Sequence, residues 1–229
     1  GLNRVKGLGL DAAQRVVMAR KQRAFIDTRD ISQRAALDRG DLQALAAADA
    51  LQSLAGDRHA ARWSVAGIRR ETGLLAAATL IETIPDLPAA TEGQEIVADY
   101  ASLGLTLRRH PLALLRPRLT RLRLLSASEL RQLPDGRLAR TTGLVTVRQR
   151  PSTARGTMFV TLEDETGTIN IIVWESVAAR LRRDLLAASL LTVYGRWQRH
   201  GDVMHLIAQH VIDHSHLLGE LVIASRDFH

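Results

Sequence analysis

Residues 139–173 read ARTTGLVTVRQRPSTARGTMFVTLEDETGTINIIV, and residues 190–213 read LLTVYGRWQRHGDVMHLIAQHVID. In both stretches apolar side chains recur with a period of two, the signature of strands with one buried face. From Ala139 onward, Thr142, Leu144, Thr146 and Arg148 alternate with Gly143, Val145, Val147 and Gln149, which predicts a first strand. A loop over 150–156 leads to a second strand, Thr157–Glu163. The turn Asp164-Glu165-Thr166-Gly167 carries Asp and Gly chemistry, and a third strand follows over Thr168–Trp174. Val177, Leu181, Leu185 and Ala188 then repeat at three or four, which predicts a helix over Glu175–Ser189. Strand four is Leu190–Gln198, the next turn is 199–202, and strand five is Val203–Asp213. Three strands, a helix and two strands are the layout of the five-stranded OB barrel, with the helix plugging it. Another small sheet with one helix is the alternative.

Upstream, the period changes to that of helices. Residues 1–84 read as a helical domain: a helix capped by Asp11 and running through Arg23, and another from Ser32 to Leu37. Asp41 precedes a third run over Leu42, Leu45, Ala46 and Ala50, a fourth helix follows Gly56, and 73–84 extends the block. Pro85, Pro88, Thr91 and Gly93 mark a linker, so 85–138 reads as a connector with short helices at Glu95–Leu105, Leu112–Leu115 and Leu119–Leu130. The OB-fold domain is then 139–214, and 215–229 is a tail. The expected class is α+β and multidomain: a helix-hairpin-helix domain followed by a five-stranded OB-fold β-barrel.

The chain has 229 residues, a net charge of +7 and no cysteine. Disulfides, thiolate zinc sites and cysteine nucleophiles are therefore excluded. No apolar run approaches the roughly 20 residues of a membrane helix, and the first residues lack a secretory core, so the cytosol is the default compartment and no membrane partner is expected. The chain lacks an initiator Met and opens inside a pattern, which reads as a piece of something longer. Of the 31 basic residues, all but Lys6 and Lys21 are arginine. Codon bias explains such a balance; a polyanion partner is the sharper reading, because guanidinium forks match phosphate oxygens. The excess is spread along the chain, so a nucleic-acid surface has to be made by folding.

Three constellations carry binding chemistry. In Val5-Lys6-Gly7-Leu8-Gly9-Leu10-Asp11, two glycines separated by one residue lead into a helix start. Its backbone N–H groups can receive a phosphate oxygen, with Arg4 and Lys6 beside them. An ordinary turn is the competing reading. On the barrel, Phe159 lies opposite in parity to Met158, Val160 and Leu162, and Trp197 stands beside Arg196 and Arg199; both aromatics are candidate stacking platforms. The competing reading makes Phe159, Trp174 and Trp197 core. Arg148, Arg150 and Arg155 belong to the first barrel loop, which often lines the groove of OB folds. The series Arg108, Arg109, Arg116, Arg118, Arg121 and Arg123 reads first as a solvated face. His205, His210, His214 and His216 crowd the last strand without a defined third ligand, so no metal site and no catalytic residue is assigned.

Several motifs together carry a resemblance. Gly1-Leu2-Asn3-Arg4-Val5-Lys6-Gly7-Leu8-Gly9 resembles the start of the helix-hairpin-helix region of bacterial C-family replicative DNA polymerases. Leu42, Leu45, Asp49-Ala50-Leu51, Ser53-Leu54, Arg58 and Trp63 resemble its second helical repeat, and Tyr100 through His110-Pro111 its connector. Phe159-Val160-Thr161-Leu162-Glu163-Asp164-Glu165-Thr166-Gly167 is similar to its OB strand-two motif, and Ser225-Arg226-Asp227-Phe228-His229 to the ending of the error-prone branch. The resemblance implies a C-terminal region of such an enzyme, acting in damage-induced mutagenesis and translesion synthesis. Magnesium would be held by palm aspartates outside these motifs, so no cofactor is expected in this piece. It also implies contact with primer–template duplex through Lys6, Gly7 and Gly9, and with single-stranded template through the OB face. The stretch Leu74–Val97 lacks the sliding-clamp pentapeptide of replicative relatives, and the clamp-loader tail is missing, so clamp recruitment would be indirect. The implied partners are an inactive Y-family-like polymerase and a RecA-like accessory protein. A protein-docking module for such subunits, with incidental DNA affinity, is the alternative; a free-standing nuclease or helicase is disfavoured because no acidic cluster stands out.

Overall fold

The structure is a computed structural model that describes residues 1–68, 89–154 and 156–219, and the backbone of 226–228. It divides into two compact units, Gly1–Leu107 and Arg108–His229.

The first unit is helical. α1 (Leu10–Gln22) is capped by Gly9, not Asp11, which sits in the first turn and complements the helix dipole. α2 spans Thr28–Arg34 because the Asp27 carboxylate accepts the Asp30 N–H at 2.7 Å; Ser32 is therefore interior, not a cap. α3 (Arg39–Ala47) is closed by a capping box, Asp38 accepting from Asp41 N at 2.8 Å and Asp41 from Asp38 N at 3.2 Å. α4 (Gln52–Ala55) and α5 (Arg58–Gly67, capped by Asp57) follow. The core draws on small residues, Ala12, Val16, Ala19 and Ala61, against Leu42, Leu45 and Val65. The helix expected over 73–84 lies outside the described residues. α6 (Glu92–Leu103) starts earlier than expected, because Thr91 and Gln94 form a capping box, and ends at Gly104 with φ 73°. Arg58 of α5 is buried against α6, paired with Asp99 and 3.4 Å from a Glu95 carboxylate oxygen.

The second unit is a closed barrel with its helical cover. β1 (Leu138–Gln149) pairs along its first half with β4 (Leu190–His200) and along its second half with β2 (Met158–Asp164). The changeover falls at Leu144, which pairs with both, beside Gly143, where a Cβ would lie 2.8 Å from Leu162 Cβ and 3.1 Å from Glu163 N, so β2 approaches closely only a glycine; the β1–β2 register then shifts between Val145 and Val147. β2 pairs antiparallel with β3 (Gly167–Val173), β3 parallel with β5 (Val203–Asp213), and β5 antiparallel with β4. The five strands thus close on themselves, as the periodicity predicts. A short sixth strand, β6 (Arg226–Phe228), runs parallel to β1 at 147–149. The core holds Val145, Val160, Leu162, Ile169, Ile171, Val193, Leu206 and Val211. The plug is two short helices, α9 (Glu175–Arg180) and α10 (Arg182–Ala187), broken at Leu181, and Leu185 enters the core.

The segment before the barrel packs onto it. α7 (Pro111–Arg121) continues through Pro117, where a break was expected, because Leu112 and Leu119 bury one face against Leu124, Leu144 and Leu190. Proline removes a single helix hydrogen bond there. α8 (Ala127–Leu130) is separate, started by a Ser126–Glu129 capping box. The turn motif explains the attachment. Buried Asp164 accepts from Ala127 N at 2.7 Å, Thr166 N at 2.7 Å and Arg116 Nη2 at 3.3 Å, while Arg116 also pairs with Glu165. Burial pushes the Glu165 carboxyl up, but the Arg116 hydrogen bond and charge outweigh it and hold the group below its ordinary range.

Candidate nucleic-acid interface

In the first unit, the bend at Gly7–Gly9 lies on the surface. Gly7 has φ 83°, a left-handed conformation that a Cβ would strain, and Gly9 is extended as the cap of α1. Gly9 contributes no side-chain bond, so the opening amides of α1 are not taken up by their own cap. Arg4 and Lys6 are exposed beside it. Lys6 is anchored: its N–H donates to Ser102 O at 2.9 Å and its Nζ to Tyr100 O at 3.2 Å, at the C-terminal end of α6. The bend, Arg4 and Lys6 are therefore brought together, with α6 fixing the lysine.

In the barrel, strand register arranges the outer face. Gln149 pairs with Phe159, Phe159 with Ile172, Ile172 with Ile207, and Ile207 with Arg196. Alternation points each of these away from the core, and the next row carries Thr161 beside Asn170. Phe159 is 38% exposed, flanked by apolar Ile172 and polar Gln149. Arg150 is exposed at the start of the first loop; Arg155 lies outside the described residues. Arg196 and Arg199 are exposed toward the other end of β4, where Arg196 Nη1 donates to Gly136 O at 2.9 Å and Arg199 Nη1 to Arg131 O at 3.3 Å.

Two expected residues leave the interface. Trp197 is 2% exposed and belongs to the core, because its parity on β4 is opposite to that of Arg196. Arg148 is 5% exposed; its Nε donates to Leu185 O at 2.9 Å and its Nη2 to Ala188 O. It clamps the end of α10 to β1. These two bonds direct its fork to main-chain carbonyls, and its burial removes it from a surface that could meet phosphate. Conversely, Trp174 is 51% exposed. It shares the parity of Asn170 and Ile172 on β3, and that alternation was the signal placing it outside.

Of the other arginines in the series, Arg116 braces the Asp164 turn, whereas Arg118, Arg121 and Arg123 are exposed; the main-chain oxygen of Arg123 accepts from Arg140 Nε at 3.1 Å. His205 bonds Gln198 at 3.0 Å, His214 bonds Thr192 at 2.7 Å, and His210 meets the Tyr194 ring. Among the described residues no group of three or more His, Cys, Asp or Glu gathers as a metal site, and no helix is long and apolar enough to cross a membrane.

Residues 1–61 match the helix-hairpin-helix motif, and residues 139–213 match the OB-fold nucleic acid binding domain. Over its full length the chain is 50% identical to an error-prone DNA polymerase of Ralstonia nicotianae, 53% to one of Bordetella parapertussis and 51% to one of Xanthomonas campestris pv. campestris. The chain is thus similar, from end to end, to error-prone DNA polymerases. It spans 22%, 22% and 21% of the length of those three relatives, so it corresponds to one segment of such enzymes. Among solved structures, asparaginyl-tRNA synthetase from Pyrococcus horikoshii overlaps 40% of this chain and 22% of its own, with a TM-score of 0.34 and 16% identity, too little to argue from.

Proposed function

We propose that this segment is the DNA-binding, C-terminal region of an error-prone DNA polymerase used in damage-induced mutagenesis and translesion synthesis. The observation that carries the reading is the full-length identity to error-prone polymerases, combined with an outward aromatic on the strand 2–3 face of an OB barrel. The hairpin at Gly7–Gly9, with Arg4 and Lys6, grips duplex backbone through amides and cations. The outer face of the barrel takes single-stranded template, Phe159 stacking on a base while Arg150, Arg196 and Arg199 neutralise phosphates. Bond-making with magnesium belongs, on this reading, to portions of the parent enzyme that the segment does not span.

The test is anisotropy of a labelled single-stranded oligonucleotide between 50 and 200 mM salt, on the order of the range over which counterion release is read. Log affinity is expected to fall linearly with log salt. Phe159→Ala should weaken binding about 5- to 150-fold, the worth of one base–aromatic stack. Undetectable binding at low salt would refute the reading.

A second reading has an observation of its own. Beside the hairpin, Leu10 is 70% and Met18 61% exposed, and with Leu2, Ala13 and Val17 they line an apolar groove. Such a surface contributes nothing to phosphate binding. It suits docking of an accessory subunit, an inactive Y-family-like polymerase or a RecA-like protein, with clamp recruitment passing through that partner. Retention of such a subunit by a segment that binds no DNA would favour docking.

A further inference from the structure

Beyond Phe159, the barrel carries a second exposed aromatic with a space beside it. Trp174 follows β3 directly and keeps the outward parity of Ile172, the in-register neighbour of Phe159. Two residues along a strand separate the Trp174 and Ile172 positions by about 7 Å. Next to Trp174 lies an open groove of about 530 Å³, lined by Thr153, Ala154, Thr157, Glu175 and Ser176. The Glu175 carboxylate lies against the first loop: a Cβ on Gly156 would meet its Oε1 at 2.8 Å, and Gly156 has φ 78°. The loop thus passes close to the carboxylate at a position whose positive φ suits glycine.

The chemistry of this groove selects its occupant. An indole half open to solvent offers a π-face. Hydroxyls of Thr153, Thr157 and Ser176 offer donors and acceptors, while Glu175 offers an acceptor and a negative charge. A phosphate is repelled by that charge. A nucleobase is accepted, its ring on the indole and an exocyclic amino group directed to the carboxylate, as a carboxylate accepts from cytosine N4. We propose that the Trp174 groove is a seat for one unpaired, amino-bearing base of single-stranded DNA. The seat would lie one strand step beyond the base stacked on Phe159. The proposal rests on the reading of the barrel's outer face as a single-strand path, and extends it to a site with base preference.

The experiment uses the full 229-residue chain in a Trp63→Phe background, so that Trp174 and the buried Trp197 alone emit. Binding of octamers of dC and of dT is followed by anisotropy and by quenching of tryptophan emission. Trp174→Ala is expected to weaken dC binding about 5- to 150-fold and to abolish the quenching. Trp174→Phe should restore most of the affinity, which separates stacking from any loss of folding. The octamer of dC should bind more tightly than that of dT, and Glu175→Gln should narrow the gap. If Phe159→Ala weakens binding while Trp174→Ala does not, the groove is no base seat and the path reading survives. If the wild-type chain binds neither octamer, both fall. A preference for dT would overturn the role given to Glu175.

Discussion

Arg148 offers the sharpest test of how this barrel is built, because as a member of an arginine loop it would be expected to contact phosphate. In the structure it is buried and donates to the carbonyls of Leu185 and Ala188. Arg148→Ala removes these two bonds and leaves the Leu185 and Ala188 oxygens without them between β1 and α10. Each hydrogen bond from a charged group contributes about 1.5–3 kcal/mol, and a buried acceptor left unpaired costs about as much. Relief of the guanidinium's own desolvation offsets part of this. A net loss of about 3 kcal/mol follows, a large fraction of the 5–15 kcal/mol typical of a domain. With a urea slope of about 2 kcal/mol per molar, the midpoint should fall by about 1.5 M. The assay is urea unfolding in the Trp63→Phe background, where both remaining tryptophans report on the barrel unit. Arg150→Ala, at an exposed position, should change the stability by less than about 0.5 kcal/mol, a midpoint shift under about 0.25 M, and lower the salt slope of oligonucleotide binding by about 1. If Arg148→Ala keeps the midpoint and lowers the salt slope instead, the clamp assignment is wrong.

Two further outcomes test the fold. Gly195 faces the β5 backbone, and a Cβ there would lie 2.0 Å from Ile207 O; Gly195→Ala should therefore cost about 3 kcal/mol, the upper range for overpacking, and lower the barrel's Tm by about 10 °C in differential scanning calorimetry. An unchanged Tm would show that the β4–β5 bulge yields easily. His110 caps α7 by accepting Leu112 N–H at Nδ1, 3.2 Å away, and burial pulls it below its ordinary value of 6.5 against the upward pull of Glu163, Glu165 and Asp164. The unfolded chain then binds more protons than the folded one as pH drops below 6.5, so this stabilisation is present above that value and lost through the lowered folded value. His110→Asn keeps an acceptor at the cap and removes the titration. Urea midpoints measured from pH 7 to 5 should therefore fall less in the variant than in the parent; parallel curves would exclude His110 as a source.

The hairpin fold of the first unit and the five-strand order of the second were legible because both rest on local rules. Period two with Asp-Gly turns makes strands wherever it occurs, and carboxylates before apolar runs make helix starts. The errors there were of one or two turns, at Ser32 and Asp41, where several acidic residues compete for the cap and only the realised backbone says which wins. Pro117 was misleading in the same way: packing of Leu112 and Leu119 sustains a helix that local propensity would break.

Residue order alone fixed the alternation that sets Phe159 opposite in parity to Met158, Val160 and Leu162, the glycines that permit the Gly7 bend, and the net positive charge, while the exposure of Trp174 emerged only from the structure. Tertiary structure alone decided what each arginine does. Arg148, Arg150 and Arg116 are chemically identical, yet one clamps buried carbonyls, one faces water and one braces an acidic turn, because a guanidinium's role is set by which acceptors the fold brings within reach. The same holds for the register of the barrel: β1 gives residues 138–144 to β4 and 144–149 to β2, pairings between residues remote in sequence whose alignment no local pattern encodes.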